Sequence, residues 1–384
     1  MARFLFVVPP LVGHVNPTVS LGHELARRGH VVAWAGHPNV VRPLLPPGAA
    51  LLPLPEGDAA DHARDLRIRM DAARGLPAFK QLWEEVLLPL ARAMVPHVDE
   101  AAAEFRPDVL LVDQQALAGA VVARRRGLRW ATLATTSARL SDSLAGLPKV
   151  QDWVDARIAQ LMDEAGLEPA REPDVSPELL LVFSSELLAG AGRFPPQARF
   201  VGPALGGRPA PADFPWDRLA PGRRLLVSLG TVNAERGAAF YRTLAEALGG
   251  EPLQVVLAAP PELLPEPPGN FLVRPRVPQL ALLPKVAAVV CHGGHNTVCE
   301  ALAHALPVLI LPIRDDQPVV AAQVVDAGAG LRLRFGRSSA AELREAVHRL
   351  LDDAALRTGA ARVRESFERA GGARAAADAV EELG

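Results

Sequence analysis

Two stretches of the chain, separated by a segment rich in proline and glycine, show the same alternation of short apolar runs and longer helical patterns. An apolar run that is continuous rather than alternating is typical of a strand covered on both faces, and such strands occur in parallel sheets. A strand, a helix and a second strand form a unit whose crossover is right-handed. The sequence therefore predicts an α/β protein with two doubly wound parallel sheets.

The pattern also predicts where the elements lie. Strands are predicted over 4–8, 31–35, 108–113, 130–134 and 179–183 in the first stretch, and over 224–229, 253–258, 286–290 and 308–311 in the second. Helices are predicted over 17–28, 61–104, 150–166 and 236–248 and in the C-terminal part of the chain. Segment 201–222 lacks periodicity, as a linker does. We predict a first domain over 1–205, a linker over 206–220, a second domain over 221–365, and a C-terminal helix over 366–384, for which packing back on the first domain is an option.

Composition excludes several classes of protein. The 384 residues include 41 Lys and Arg against 43 Asp and Glu, a net charge of −2, which argues against a nucleic-acid binder or a polybasic membrane protein. Two cysteines supply no disulfide framework and no cysteine-rich zinc site. The apolar start ends at Pro9 and Pro10, which is too early for a signal peptide, and no apolar run approaches the ~20 residues of a membrane span. We expect a cytoplasmic protein without a transmembrane segment.

Parallel sheets bind ligands outside the carboxyl ends of their strands, and two side chains of the first domain lie there. His14 follows the first predicted strand in a Gly-His-x-Asn-Pro turn, and Asp113 ends a later strand of the same sheet. An imidazole is suited to general-base work, and a carboxylate can orient it. The structural alternatives are a loop residue for His14 and a helix N-cap for Asp113. We predict that the two side chains meet at one edge of the sheet.

The strongest local signal is the segment 291–302, CHGGHNTVCEAL, which follows a predicted strand. Gly293 and Gly294 allow the backbone to approach a ligand closely. Asn296 and Thr297 are good N-cap residue types, and the N-terminus of the helix that follows is suited to a phosphate. His292 adds a donor, and Glu300 is able to accept hydroxyl hydrogen bonds. The alternative is a glycine-rich structural turn with incidental histidines.

Other phosphate and metal motifs are missing from the sequence. It has no G-x-G-x-x-G after the first strand, no P-loop, no H-E-x-x-H, no C-x-x-C and no G-x-S-x-G. Asp315 and Asp316 are contiguous, unlike the spaced acidic motif that holds a metal on a nucleotide. Metal independence is therefore favoured, and no cofactor is expected.

These residues resemble the GT-B glycosyltransferases of the family that includes plant UDP-glycosyltransferases and bacterial antibiotic and macrolide glycosyltransferases. The resemblance covers the whole chain and is strongest at 13–17, at 277–279 and over 292–317. It is closer to the bacterial natural-product branch. It implies an α/β GT-B fold of two Rossmann-like doubly wound parallel-sheet domains facing a cleft, with the acceptor on the N-terminal domain and the nucleotide sugar on the C-terminal one.

The resemblance also implies a role for individual residues. His14 would be the catalytic base and Asp113 its partner. The nucleotide-sugar-binding residues would be Val277 and Gln279 at the base, His292, Gly294, Asn296 and Thr297 at the diphosphate, Glu300 at the ribose, Asp316 and Gln317 at the sugar, and Ser228, Gly230 and Thr231 in the diphosphate-side loop. Four positions depart from the pattern: Ala305 and Val320 stand where the family often has Gly and Asn, and Arg276 and His295 stand where plant members have Trp.

The implied function is an inverting, metal-independent transfer of a sugar from a UDP- or dTDP-sugar to a hydroxyl of a small, largely apolar acceptor, such as a natural-product aglycone in antibiotic biosynthesis. The protein would act as a monomer or homodimer without nucleic acid. Three alternatives stay open: a nucleotide-sugar 2-epimerase on the same fold, a non-catalytic nucleotide-sugar-binding partner, and a membrane-surface lipid glycosyltransferase, for which the basic segment 64–69 is a faint hint.

Overall fold

The computed structural model describes residues 1–55, 76–137, 148–190, 192, 194–208, 213–230 and 237–384. The chain divides into two compact units. Unit 1 comprises Met1–Ser185, Ala191–Pro209 and Ala370–Gly384, and unit 2 comprises Glu186–Gly190 and Ala210–Arg369. The basic segment 64–69 and Thr231 lie outside the described residues.

Unit 1 is built on a parallel sheet. Its strands are β1 (Arg3–Val7), β2 (Val31–Gly36), β3 (Ala50–Pro53), β4 (Val109–Asp113), β5 (Arg129–Ala134), β6 (Leu179–Val182) and β7 (Ala198–Phe200). Its helices are α1 (Val12–Arg27), α2 (Pro38–Val41), α3 (Leu76–Gln81), α4 (Leu88–Phe105), α5 (Leu117–Arg126), α6 (Pro148–Glu164) and, at the end of the chain, α14 (Gly372–Glu381). A π-helical segment, Leu82–Leu87, joins α3 to α4, and a 3-10 turn, Arg42–Leu44, follows α2.

Unit 2 repeats the plan. Its strands are β8 (Arg224–Ser228), β9 (Gln254–Ala258), β10 (Phe271–Arg274), β11 (Ala288–Cys291), β12 (Val308–Ile310) and β13 (Gly330–Arg332). Its helices are α7 (Glu186–Ala189), α8 (Ala238–Leu248), α9 (Gln279–Leu282), α10 (His295–Ala303), α11 (Gln317–Asp326), α12 (Ala340–Asp352) and α13 (Ala354–Ala370), with 3-10 turns at Trp216–Arg218, Pro261–Leu263 and Leu283–Lys285.

The six strands of unit 2 have the same order as the first six strands of unit 1, whose sheet has a seventh strand at one edge. The order is β3-β2-β1-β4-β5-β6-β7 in unit 1 and β10-β9-β8-β11-β12-β13 in unit 2, and the strand pairs are parallel. Counted within each unit, the order 3-2-1-4-5-6 is that of the doubly wound Rossmann fold. The predicted fold class, two Rossmann-like parallel-sheet domains, is confirmed.

The central strands are buried on both faces, which explains their continuous apolar runs. In β1, Leu5 and Val7 belong to the core on one side of the sheet, and Phe4 and Phe6 to the core on the other. All four side chains are fully buried. Alternate residues of a strand point to opposite faces, so a strand with a core on each side needs an apolar residue at every position.

Four strands were not predicted, and each is the outermost strand of a sheet: β3, β7, β10 and β13. They have three or four residues, and most of their positions are partly or fully exposed. An edge strand has a neighbour on one side only and is covered less completely. Its sequence therefore lacks the long apolar run that made the inner strands predictable.

Helix α1 begins earlier than predicted. It starts at Val12 rather than near Pro17, which lies inside the helix. The backbone N–H groups of His14 and Val15 donate to the carbonyl of Leu11 at 2.9 and 3.1 Å, so the helical turn is already formed there. His14 is consequently a residue of the first helical turn and not of a preceding loop.

The C-terminal helix α14 packs in unit 1. Ala376, Ala377 and Val380 lie in the same core as the phenylalanines of β1. At its exposed side, Nη1 of Arg28, the residue that follows α1, lies 2.6 Å from Asp378 Oδ1 and 2.7 Å from an oxygen of Glu381. Burial of its apolar side chains, at about 1–3 kcal/mol for each, therefore holds this helix on unit 1. The exposed ion pairs contribute little energy and help to orient the helix.

One position carries backbone strain at a site where the family often has Gly. Ala305, between α10 and β12, has φ of +55°, in the left-handed region. We expect Ala305→Gly to raise the free energy of unfolding by about 0.5–1 kcal/mol, since relief of ~1–2 kcal/mol of strain exceeds the added entropy of the unfolded chain. The control Ala303→Gly, at the last residue of α10, should lower it, by up to about 1 kcal/mol. Urea unfolding measures both, and a loss of stability in Ala305→Gly would contradict the strain.

Candidate functional site

The strand order indicates where each sheet is expected to bind a ligand. Strand order reverses between β1 and β4 in unit 1 and between β8 and β11 in unit 2. In open parallel sheets, ligands bind outside the carboxyl ends of the strands at this reversal. Two groups of predicted residues lie at these points, one in each unit.

In unit 1, the side chains of His14 and Asp113 are in contact, as predicted. His14 Nδ1 lies 2.9 Å from Asp113 Oδ1 and 3.0 Å from Oδ2. The Asp113 side chain is fully buried, whereas 12% of the His14 side chain is exposed. An ionised carboxylate only accepts, so Nδ1 carries the proton of the neutral ring and Nε2 presents a lone pair. This is the arrangement of an oriented general base.

A third side chain, which was not predicted from the sequence, completes this cluster. Thr135 Oγ1 lies 2.9 Å from His14 Nδ1 and 3.0 Å from Asp113 Oδ2. The Gln115 backbone N–H donates to Asp113 Oδ1 at 2.8 Å. Thr135 directly follows β5, the neighbour of β4, so the rule that selected Asp113 also places Thr135 at this edge.

In unit 2, two glycines shape the connection between β11 and α10. Gly293 has φ of +93°, and a Cβ there would lie 2.8 Å from Ile310 Cγ2, so a side chain is excluded. Gly294 is the N-cap of α10, which starts at His295. The expectation that Asn296 or Thr297 caps the helix was therefore wrong. Both lie in its first turn, where backbone N–H groups of a helix are available to an anion.

The ring of His292 lies against two glycines. A Cβ on Gly230 would be 2.7 Å from His292 Cε1, and a Cβ on Gly294 would be 2.6 Å from Nε2. Burial lowers the pKa of His292 to about 4, although nearby Asp316 and the Ser228 backbone favour the charged ring. His292 is therefore neutral at pH 7 and is able to offer a ring N–H to an anion without carrying a charge.

Ser228, Asp316 and Gln317 belong to the same edge of the sheet. Ser228 ends β8, and its Oγ accepts from the Gly230 N–H at 3.3 Å. Asp316 immediately precedes α11. Gln317 is buried, and its Oε1 accepts from the N–H groups of residues 313 and 314 at 2.8 and 3.0 Å. This amide oxygen is thus committed to the loop that leads from β12 to α11.

A further pair of side chains connects α9 to α10. Gln279 Nε2 donates to Glu300 Oε2 at 2.6 Å, and Glu300 is 3% exposed. Val277 packs partly buried against the apolar core of unit 2. The structure thus brings the predicted base residue Gln279 to the predicted ribose residue Glu300. Partial burial lowers the pKa of the half-buried His304, and the charge of Glu300 raises that pKa in part.

A cavity of about 370 Å³ in unit 2 lies away from the predicted site residues. It is lined by Trp216, Leu219, Arg224 and Lys285. Arg224 is the first residue of β8, so this cavity lies at the amino edge of the sheet, opposite the edge that bears Ser228. It contains none of the predicted site residues.

Neither a metal cluster nor a membrane-spanning helix is found in the described part of the chain. Its residues include no group of three or more His, Cys, Asp or Glu side chains placed to hold a metal ion. None of its helices combines the length and the apolar character that crossing a bilayer requires. Both cysteines, Cys291 and Cys299, are buried and free.

Comparison with known proteins identifies the family. The model of the erythromycin biosynthesis protein CIII-like C-terminal domain matches residues 248–381. The chain is 31% identical over 408 residues to demethyllactenocin mycarosyltransferase of Streptomyces fradiae, covering 100% of this chain and 87% of that protein. It is 28% identical over 393 residues to NDP-glycosyltransferase YjiC of Bacillus licheniformis, covering 97% and 95%.

A solved structure agrees with these relatives. The crystal structure of CalG4, the calicheamicin glycosyltransferase, matches with a TM-score of 0.80 and 27% identity, covering 100% of this chain and 98% of that chain. The similarity extends over both units and is not confined to the C-terminal domain. The chain belongs to the family of bacterial antibiotic glycosyltransferases, and the protein is a glycosyltransferase with the GT-B fold.

Proposed function

We propose that the protein is an inverting, metal-independent glycosyltransferase that moves a sugar from a nucleotide diphosphate sugar, with UDP or dTDP as the carrier, to a hydroxyl of a small, largely apolar natural product. The observation that carries the proposal is the contact of 2.9 Å between His14 Nδ1 and Asp113 Oδ1. It leaves His14 Nε2 as the basic atom of the cluster.

In the proposed reaction, His14 Nε2 takes the proton of the acceptor hydroxyl. The hydroxyl oxygen attacks the anomeric carbon from the face opposite the diphosphate, and a C–O bond forms while the bond to the diphosphate breaks. The electron pair leaves with the diphosphate, the configuration inverts, and His14 later releases its proton to water. Asp113 stabilises the imidazolium that forms during the attack.

The leaving diphosphate gains charge in the transition state, and unit 2 offers neutral donors for it. These are the backbone N–H groups of the first turn of α10 and the ring N–H of His292. Donors aimed at developing charge stabilise the transition state more than the ground state. We propose that Glu300 and Gln279 bind the nucleoside and that Asp316 and Gln317 bind the sugar.

The names of the relatives support the choice of substrates. One relative is named an NDP-glycosyltransferase, which supports a nucleotide diphosphate sugar as donor. The mycarosyltransferase and the calicheamicin glycosyltransferase are named after natural products, which supports an acceptor of that kind.

A donor and acceptor screen tests the proposal. Purified protein is incubated with UDP- and dTDP-sugars and a panel of hydroxylated aglycones, and the products are analysed by mass spectrometry. We expect a glycoside and one nucleoside diphosphate for each turnover. Epimerised donor would instead favour an isomerase, and hydrolysis of the donor without transfer would count against the transferase.

The glycines beside His292 give a prediction for donor binding. Gly230→Ala should displace the His292 ring, because the new Cβ would lie 2.7 Å from Cε1. We expect the affinity for UDP or dTDP to fall about tenfold, the equivalent of one lost hydrogen bond. Gly222→Ala is the matched control: φ is +94° there, compared with +75° at Gly230, and nothing lies within 4 Å of the added Cβ. Isothermal titration calorimetry that finds the same affinity in both variants would contradict this role of the ring.

A further inference from the structure

The hydroxyl of Thr135 is within hydrogen-bond distance of both members of the His14–Asp113 pair, at 2.9 Å from Nδ1 and 3.0 Å from Oδ2. We propose that Thr135 is a positioning residue that fixes the imidazole ring against the carboxylate. This inference rests on the proposed role of His14 as the base. Its hydroxyl holds the His14 ring in place relative to Asp113, and it takes no part in the proton transfer itself.

The hydrogen-bond inventory supports the assignment. Asp113 is 1% exposed, so its carboxylate depends on protein donors. Three groups are placed to donate to it: the ring of His14, the backbone N–H of Gln115 and the hydroxyl of Thr135. The proton of the hydroxyl is directed to Asp113 Oδ2, which leaves the Thr135 oxygen free to accept from His14 Nδ1–H.

This geometry restrains the ring more than the carboxylate does alone. The Nδ1–H of His14 is shared by two acceptors from two different strand ends, β4 and β5. A ring held by two partners has less freedom to turn away from the acceptor hydroxyl. Thr135 is also 3% exposed, so water is not at hand to replace its hydroxyl. Loss of this hydroxyl therefore loosens the base and leaves a buried carboxylate oxygen with one donor fewer.

A matched control lies in β5, the strand that Thr135 directly follows. Thr132 lies in β5 and is 2% exposed, close to the exposure of Thr135. Its Oγ1 accepts from the backbone N–H of Ser176 at 2.8 Å, and none of the described side-chain hydrogen bonds of His14 and Asp113 involves Thr132. Thr132→Val therefore removes a buried hydroxyl from the same sheet without touching the base.

The experiment compares Thr135→Val, Thr135→Ser and Thr132→Val. We expect Thr135→Val to lower kcat about tenfold with an unchanged KM for the donor, because the ring is misplaced while the donor site in unit 2 is intact. Thr135→Ser, which keeps the hydroxyl, should restore kcat to within about twofold of the wild type. Thr132→Val should lower the melting temperature while leaving kcat unchanged.

A second readout does not depend on activity. The Nδ1–H signal of His14 is recorded by proton–nitrogen NMR and assigned by its loss in His14→Gln. We expect Thr135→Val to shift this signal and speed its exchange with water, and Thr135→Ser and Thr132→Val to leave it in place. An unmoved signal in Thr135→Val, or an equal loss of kcat in Thr132→Val, would overturn the proposal. If wild-type protein transfers no sugar in the screen, the proposed function fails, while the NMR comparison still decides whether Thr135 positions the ring.

Discussion

His14→Ala is expected to lower kcat by about a thousandfold, while the affinity for the nucleoside diphosphate stays within about twofold of the wild type. A positioned general base contributes typically 10²–10⁴-fold to a rate, and alanine leaves no group to take the proton of the acceptor hydroxyl. The proposed donor-binding residues lie in unit 2, whereas His14 lies in unit 1. Steady-state kinetics and calorimetry with UDP or dTDP measure the two quantities separately.

A histidine on the same helix provides the control. His23 is an exposed residue of α1 and lies nine residues after His14, which is in the first turn of the same helix. His23→Ala should therefore leave kcat unchanged. A similar loss in His23→Ala and His14→Ala would show that α1 tolerates no substitution and would remove the case for a base at His14.

Asp113→Asn is expected to lower kcat about a hundredfold through the tautomer of the ring. The carboxylate accepts from Nδ1 and leaves Nε2 with its lone pair. An asparagine amide group facing Nδ1 would donate instead, which moves the ring proton to Nε2 and removes the basic atom. Asn is nearly the same size as Asp, so the packing around this buried position is preserved. A wild-type kcat in Asp113→Asn would end the assignment of the pair.

His292→Ala is expected to lower kcat/KM by about a hundredfold. Removal of one preorganised donor from a developing oxyanion typically costs 10²–10³ in rate. Burial lowers the pKa of His292 to about 4, so in its proposed role the ring would act as a neutral N–H donor at pH 7 and not as a cation. Alanine removes this N–H group, so we expect a loss both in binding of the nucleotide sugar and in the rate of sugar transfer.

The neutral character of His292 makes a sharper test available. His292→Gln keeps an uncharged N–H donor and should retain at least tenfold more kcat/KM than His292→Ala. His348→Ala serves as the control, because His348 is a surface residue of unit 2 with 47% side-chain exposure. Equal losses in His292→Gln and His292→Ala would contradict donation by a neutral ring, provided that both variants melt at similar temperatures.

How far the sequence predicted the fold depends on burial. The inner strands were predictable because a strand with a core on each side needs an apolar residue at every position, as Phe4, Leu5 and Phe6 show. The four edge strands lacked that pattern, since most of their positions are partly or fully exposed. The start of α1 was misplaced because Pro17 resembled a first-turn proline, whereas the Leu11 carbonyl already accepts from the first helical turn.

The sites followed the same logic. His14 and Asp113 could be paired from the sequence because the carboxyl ends of neighbouring parallel strands meet at one edge. The contact of Thr135 with this pair was not predicted, because a threonine after a strand is common and belongs to no sequence motif. The cap of α10 was misassigned because Gly293 and Gly294 form a tight connection that starts the helix at His295, which sequence preferences for Asn and Thr do not encode.

The configuration of the product tests the central claim most directly. An α-linked nucleotide diphosphate sugar is incubated with an accepted aglycone, and the anomeric proton coupling of the purified product is measured by NMR. Direct displacement with His14 as base predicts a β-linked glycoside, one nucleoside diphosphate released for each glycoside, and a rate about a thousandfold lower with His14→Ala. An α-linked glycoside, or a glycoside formed at the wild-type rate by His14→Ala, would contradict it.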